Sequence, residues 1–236
     1  MARKRQPVPL PEIVATLITI GERDTLLNER VFPALLRELG PGRVGVCAEP
    51  GTALADDQHA AIGALIGYVH RDRANMGARF REAARVITEV HPNWQYLLHL
   101  EDDIVLLPGA VAAFARWVKD KPVGMYGLQL YLDNLPEAPV GTPLEKFPSW
   151  GAIVSDGVPV LAMTPEEMKA PGRPYVSICA VHRELYDKVP PRGRKGAGYD
   201  IDWSQATVDA GYPLLFCHAA GAIHVTWKRR PDQWAL

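Results

Sequence analysis

Tyr96-Leu97-Leu98-His99-Leu100-Glu101-Asp102-Asp103 is an apolar, strand-like run that delivers three consecutive acids, and Ile104-Val105-Leu106-Leu107-Pro108-Gly109 follows it. Carboxylates at the carboxyl end of a strand sit at the open edge of an α/β sheet, where such folds bind ligands. Three adjacent negative charges repel one another, and a divalent cation relieves that repulsion. The run therefore predicts metal-assisted handling of a phosphate-bearing ligand. Without a ligand the same triplet reads as a solvated acidic turn, so the rest of the chain has to decide.

Upstream, strands and helices alternate. Residues 13–20 form a β-branched and apolar run suited to a central strand covered on both faces. From Thr25 to Leu39, Leu27, Val31, Leu35 and Leu39 recur at helical spacing, and Gly40-Pro41-Gly42 closes the helix. The unit repeats with a strand at Val44 to Ala48, a helix at 57–65 and a strand at 66–70. A helix from about Gly77 to Val90 carries Phe80, Ala84, Ile87 and Val90 on one stripe and leads into the acidic strand. This alternation predicts a mostly parallel sheet with right-handed crossovers and ligands at its carboxyl edge.

Downstream, a helix is expected from Pro108 to about Val118 and a strand from Val123 to 130. The proline-rich stretch 133–174 breaks the rhythm and reads as an acceptor-side insertion of binding loops. A strand at Val176 to Val181 and a short helix to Val189 restore the rhythm. The basic, glycine-rich loop 190–198 then suits closure over a diphosphate, or is simply exposed.

The 236 residues carry a net charge of −1, with 47% hydrophobic and 22% charged residues, which is ordinary globular usage. No global field draws the chain to nucleic acid or anionic lipid, so such binding would need local patches such as Arg3-Lys4-Arg5 or Lys228-Arg229-Arg230. Prolines after the basic start argue against a secretory signal, and no run reaches the roughly 18 to 20 apolar residues of a membrane span. Cys47, Cys179 and Cys217 lack metal-ligand spacing, so they read as reduced thiols of a cytoplasmic protein.

Later in the chain, Tyr199-Asp200-Ile201-Asp202-Trp203 opens a helix reaching Ala210-Gly211-Tyr212, and Ile223-His224 lies on or after a strand. With the triplet, this order resembles nucleotide-sugar-dependent glycosyltransferases of the GT-A fold, family 2 in particular. Leu100-Glu101-Asp102-Asp103-Ile104 with Pro108 is similar to the Glu-Asp-Asp metal motif of N-acetylglucosaminyltransferases. The usual Glu-Asp of the later pair stands here as Tyr199-Asp200, which leaves the base open between Asp200 and Asp202.

The resemblance implies one GT-A domain over residues 1–236, with a nucleotide-sugar half at 13–130 and an acceptor half at 131–227. It implies Mn2+ or Mg2+ held by Asp103, with His224 completing the coordination and Glu101 and Asp102 supporting the ion or the ribose. Thr19, Arg23, Glu49, Arg73 and Asn75 follow the first three strands and would line the nucleotide pocket, and Arg79 follows at the next helix start. Asp200 or Asp202 would deprotonate the acceptor hydroxyl, or cap the helix. The acceptor could be a saccharide or a hydroxymethylated DNA base. Two other readings stand beside this one. Nucleotidyl transfer also uses acidic clusters, but its glycine-rich, lysine-containing loop is missing at Gly21-Glu22-Arg23-Asp24. A binding module on a degenerate transferase fold is the third reading.

Overall fold

A computed structural model describes residues 10–19, 24–48, 65–68, 76–132, 149–150, 153–155, 158–160, 175–176, 178–192 and 199–225. Strand β1, Ile13–Ile18, is buried along its whole length because helices cover both faces of the sheet. It pairs in parallel with β2, Val44–Ala48, and β2 with β3, Leu65–Tyr68. Between β1 and β2, a π-helical turn Leu27–Val31 leads into helix α1, Phe32–Leu39, which ends at Gly40 with φ +78°.

Helix α2, Met76–Val90, crosses β2 so closely that a Cβ on Gly45 would lie 2.2 Å from the Ala83 carbonyl oxygen. Only glycine permits that approach. The acidic strand is β4, Tyr96–Glu101, parallel to β1 with Ile18 opposite Glu101. After the two-residue turn Asp102-Asp103 comes β5, Ile104–Leu106, a short strand that the sequence reading passed over. Helix α3, Ala110–Trp117, follows it. Gly109 precedes α3 in the left-handed region, and Glu38 of α1 accepts hydrogen bonds from the Gly109 and Val111 amides at 3.0 and 3.2 Å. A carboxylate from one helix thus caps another.

Strand β6, Met125–Leu132, pairs with β7, Ser149–Trp150. The proline-rich stretch is not only loops: β8, Ile153–Ser155, β9, Val158–Val160, and β10, Tyr175–Val176, form a small antiparallel sheet of their own. The strand expected at Val176 to Val181 is therefore divided, because its second part, β11, Cys179–His182, belongs to the main sheet. Helix α4, Arg183–Lys188, helix α5, Tyr199–Asp209, and strand β12, Leu214–His224, complete the described chain.

The main sheet runs β3-β2-β1-β4-β11-β6-β12-β5, with β7 beside β6. Strands β1, β2, β3, β4, β6 and β12 point one way, while β11 is inserted antiparallel between β4 and β6. Phe32, Leu35, Leu100, Phe114 and Tyr126 fill one face with α1 and α3, while Ile87, Trp94, Leu97, Leu185 and Trp203 fill the other. Burying two such layers supplies most of the driving force for folding. Positions 57–64 of the helix expected at 57–65 lie outside the described residues, and Leu65 instead opens β3.

Candidate functional site

Because β1, β4 and β12 run in one direction, their carboxyl ends bring Thr19, the Glu101-Asp102-Asp103 segment and His224 to one edge. Strand β5 returns from the acidic turn antiparallel to β12, with Ile104 opposite His224. That register sets Asp103 beside the end of β12, and the Val225 amide donates to the Asp103 carbonyl at 2.9 Å. His224 Nε2 lies 3.3 Å from Asp103 Oδ2.

The three acids diverge. Glu101 ends β4 and Asp102-Asp103 form the turn into β5, so the three carboxylates leave the backbone in different directions. Tyr199 of α5 donates its hydroxyl to Glu101 Oε1 at 3.1 Å, while the Thr19 hydroxyl donates to Asp102 Oδ2 at 3.0 Å. Asp103 faces His224. Asp102 and Asp103 are buried, at 4% and 5% exposure, whereas the His224 side chain is 37% exposed. Burial, and then the neighbouring Asp103 charge, push the Glu101 carboxyl up to about 7; Asp102 and Asp200 add to the rise.

Among the described residues no group of three or more His, Cys, Asp or Glu side chains is gathered closely enough to hold a metal. Asp103 and His224 supply two donors, one hard carboxylate and one borderline imidazole. Ions such as Mg2+ and Mn2+ bound with phosphates keep several oxygen ligands from water and substrate, so a two-donor protein site suits them.

On the other side of the edge, α5 begins with Tyr199 and Asp200. Asp200 Oδ1 accepts from the Ile201 amide at 2.9 Å, so this acid also serves the helix start. Its carboxyl is raised above the usual range by burial, opposed by backbone hydrogen bonds. Asp202 lies in the same turn, half-buried. Trp203 is core: it is 3% exposed and its Nε1 donates to the Val189 carbonyl at 2.6 Å. Ser204 accepts from the Val176 amide at 3.0 Å, anchoring α5 to β10.

Beneath the site lies a buried histidine that the sequence reading passed over as part of an apolar strand. His99 stacks on Phe80 at 3.5 Å between ring centroids and lies 4.8 Å from the Trp203 ring. Thr16 Oγ1 lies 3.2 Å from the Leu98 carbonyl oxygen and 2.9 Å from His99 Nδ1, so one hydroxyl bridges the β4 backbone and the imidazole. Burial lowers the His99 pKa well below the ordinary imidazole value, which keeps the ring neutral. Tyr199 was missed as a partner of Glu101, although its place in the acidic pair was the available clue.

Arg79, in the first turn of α2, is buried at 2% exposure. Arg23, Glu49, Arg73, Asn75, the loop residues 193–198 and Trp227 lie outside the described residues. Among the described residues no helix is long and apolar enough to cross a membrane. Cys47, Cys179 and Cys217 are buried thiols.

No family model matches the chain, and no curated protein matches its sequence. Its backbone is similar to the 1–349 fragment of S. aureus TarS, with a TM-score of 0.59 at 9% identity, over 91% of this chain and 60% of that one. A second S. aureus TarS structure gives 0.58 at 8% identity, over 91% of this chain and 37% of that one. The mannosyltransferase PcManGT from Pyrobaculum calidifontis, in complex with GDP-Man and Mn2+, gives 0.58 at 14% identity, over 96% of this chain and 62% of that one. The chain spans less than two thirds of the length of each of these proteins. The fold they share is that of GT-A glycosyltransferases: a mostly parallel, Rossmann-like sheet flanked by helices.

Proposed function

We propose that this chain is a metal-dependent glycosyltransferase that moves a sugar from a nucleoside-diphosphate sugar to an acceptor hydroxyl. The observation that carries the reading is the meeting of Asp103 and His224 at the carboxyl edge of a GT-A sheet, with Asp200 opening a helix at the same edge. The neighbour crystallised with GDP-Man and Mn2+ supports the donor and metal classes.

Asp103 and His224 would hold the Mn2+ or Mg2+ ion, which when bound stabilises charge on the departing diphosphate. Thr19 and Asp102 form a buried, hydrogen-bonded floor on the nucleotide side. Arg23, Glu49, Arg73 and Asn75 are assigned to the nucleotide pocket by their places in the sequence alone. The acceptor oxygen bonds to the anomeric carbon as the bond to the diphosphate oxygen breaks, and the acceptor proton passes to Asp200. Its raised pKa suits a base better than an ordinary exposed carboxylate, and Asp202 in the same turn orients the acceptor. Residues 13–130 act as the donor half and 131–227 as the acceptor half of one domain. The acceptor class is a saccharide or a hydroxymethylated DNA base.

A panel of uridine and guanosine diphosphate sugars, assayed for nucleoside diphosphate release with Mn2+ and with EDTA, tests the reading. Mn2+-dependent release from one donor class is expected. Pyrophosphate release from a nucleoside triphosphate would replace it with nucleotidyl transfer. Tight donor binding without turnover across an acceptor panel would replace it with a binding module.

A further inference from the structure

Of the three consecutive acids, Glu101 is bonded to α5, the helix that carries Asp200. Tyr199 is the residue before Asp200, and its hydroxyl reaches Glu101 Oε1 at 3.1 Å across 98 positions of chain. The Tyr199 ring is itself fixed: it is buried at 6% exposure and lies 5.2 Å from Phe80, which stacks on His99 of the same strand as Glu101. The first turn of α5 is therefore tied to the end of β4 by a hydrogen bond to a carboxylate and by a ring contact. The hydrogen bonds of Trp203 and Ser204, a turn further along α5, lead to Val189 and Val176, and the Trp203 ring meets β4 only at His99, two residues before Glu101.

We infer that Tyr199 and Glu101 are a positioning pair that holds Asp200 in register with Asp103, so that Glu101 serves the acceptor side and not the metal or the ribose. This role rests on the transferase reading. A hydrogen bond to a carboxylate is directional and strong, and a shift of about 1 Å in a base costs on the order of a hundredfold in rate. Such a link acts mainly on kcat, because the hydrogen bonds of Asp102 to Thr19 and of Asp103 to His224 are made without it, although the Glu101 and Asp103 charges still feel each other. It also needs an acceptor oxygen at residue 101, not a negative charge.

The test uses the full chain with Tyr199→Phe, Glu101→Ala, the double variant and Glu101→Gln. Nucleoside diphosphate release is measured on the donor that the wild-type chain turns over, Mn2+-dependent binding of the nucleoside diphosphate by calorimetry, and folding by thermal melts. Tyr199→Phe and Glu101→Ala each lower kcat about tenfold with nucleotide affinity within about twofold, and the double variant is no worse than either single. Glu101→Gln, which keeps an oxygen for Tyr199, stays within about threefold of wild type.

Equal damage from Glu101→Gln and Glu101→Ala would overturn the inference, as would lost nucleotide binding in either Glu101 variant. Unchanged kcat in Tyr199→Phe, with or without a lowered melting temperature, would also overturn it and leave the transferase reading standing. A folded wild-type chain with neither turnover nor nucleotide binding would remove that reading, and this role with it.

Discussion

Asp103 Oδ2 and His224 Nε2 stand 3.3 Å apart although 121 residues separate them in the chain. Backbone pairing makes the meeting: Ile104 lies opposite His224, and the Val225 amide donates to the Asp103 carbonyl at 2.9 Å. Because β5 is short and reverses directly out of the acidic turn, the carboxylate and the imidazole are delivered by adjacent strands and not by a flexible loop. A site carried on strands holds its geometry better than one carried on loops.

If that pair receives the cation, removing the imidazole weakens the ion's hold without abolishing it. His224→Ala is expected to lower Mn2+-dependent affinity for a nucleoside diphosphate about tenfold, with a smaller loss in Mg2+, which has less preference for nitrogen. Calorimetric titration in each metal checks this. An equal loss in both would point to packing at the end of β12 instead.

Asp200 carries a raised pKa through burial. A base works only when deprotonated, so activity is expected to fall with pH through a value above the ordinary carboxylate range, and to be complete on the alkaline side. Asp200→Asn should remove that limb and lower kcat by roughly 100-fold or more, whereas Asp202→Asn keeps the limb. The profile of kcat/KM against pH for the three proteins decides between the two acids.

His99 predicts a stability signature. Its folded pKa is depressed by burial, so between the ordinary value of 6.5 and the folded value the unfolded chain binds a proton that the folded chain does not. Stability is therefore unaffected by this group above about pH 6.5 and falls as the pH drops below it, by about 1.4 kcal/mol per pH unit. Urea unfolding at pH 7.5 and 5.5 measures the loss. In His99→Gln that contribution to the pH dependence disappears, even if the variant is less stable at both values.

The alternation of strands and helices in the first half was legible because β1, β2 and β4 are short apolar runs bounded by turn residues, and α2 carries a clear apolar stripe. The order of strands across the sheet was not. Nothing local in Cys179-Ala180-Val181-His182 tells that it runs antiparallel between β4 and β6, since pairing partners are set by distant segments. Ile104-Val105-Leu106 was passed over because three apolar residues are too few to show a period.

The acids at the sheet edge could be picked out as residue types and placed at a strand end, but their separate partners could not. The triplet reads in sequence as one cluster, yet the chain leaves β4 at Glu101 and turns at Asp102-Asp103, so Glu101 meets Tyr199, Asp102 meets Thr19 and Asp103 meets His224. A period of two would have put Glu101 and Asp103 on one face, so only the turn at Asp102-Asp103 explains their separate partners. His99 escaped notice for a different reason: its Nδ1 pairs with Thr16 on the neighbouring strand, a contact that only the β1–β4 register creates.

The most direct measurement is anomalous diffraction from a crystal of the full chain soaked with Mn2+ and a nucleoside diphosphate. The account predicts one strong manganese peak in contact with the Asp103 carboxylate and His224 Nε2, with diphosphate oxygens completing its shell and Glu101 still bonded to Tyr199. An ordered nucleotide with no manganese at that pair, or a peak held by other residues, would contradict it.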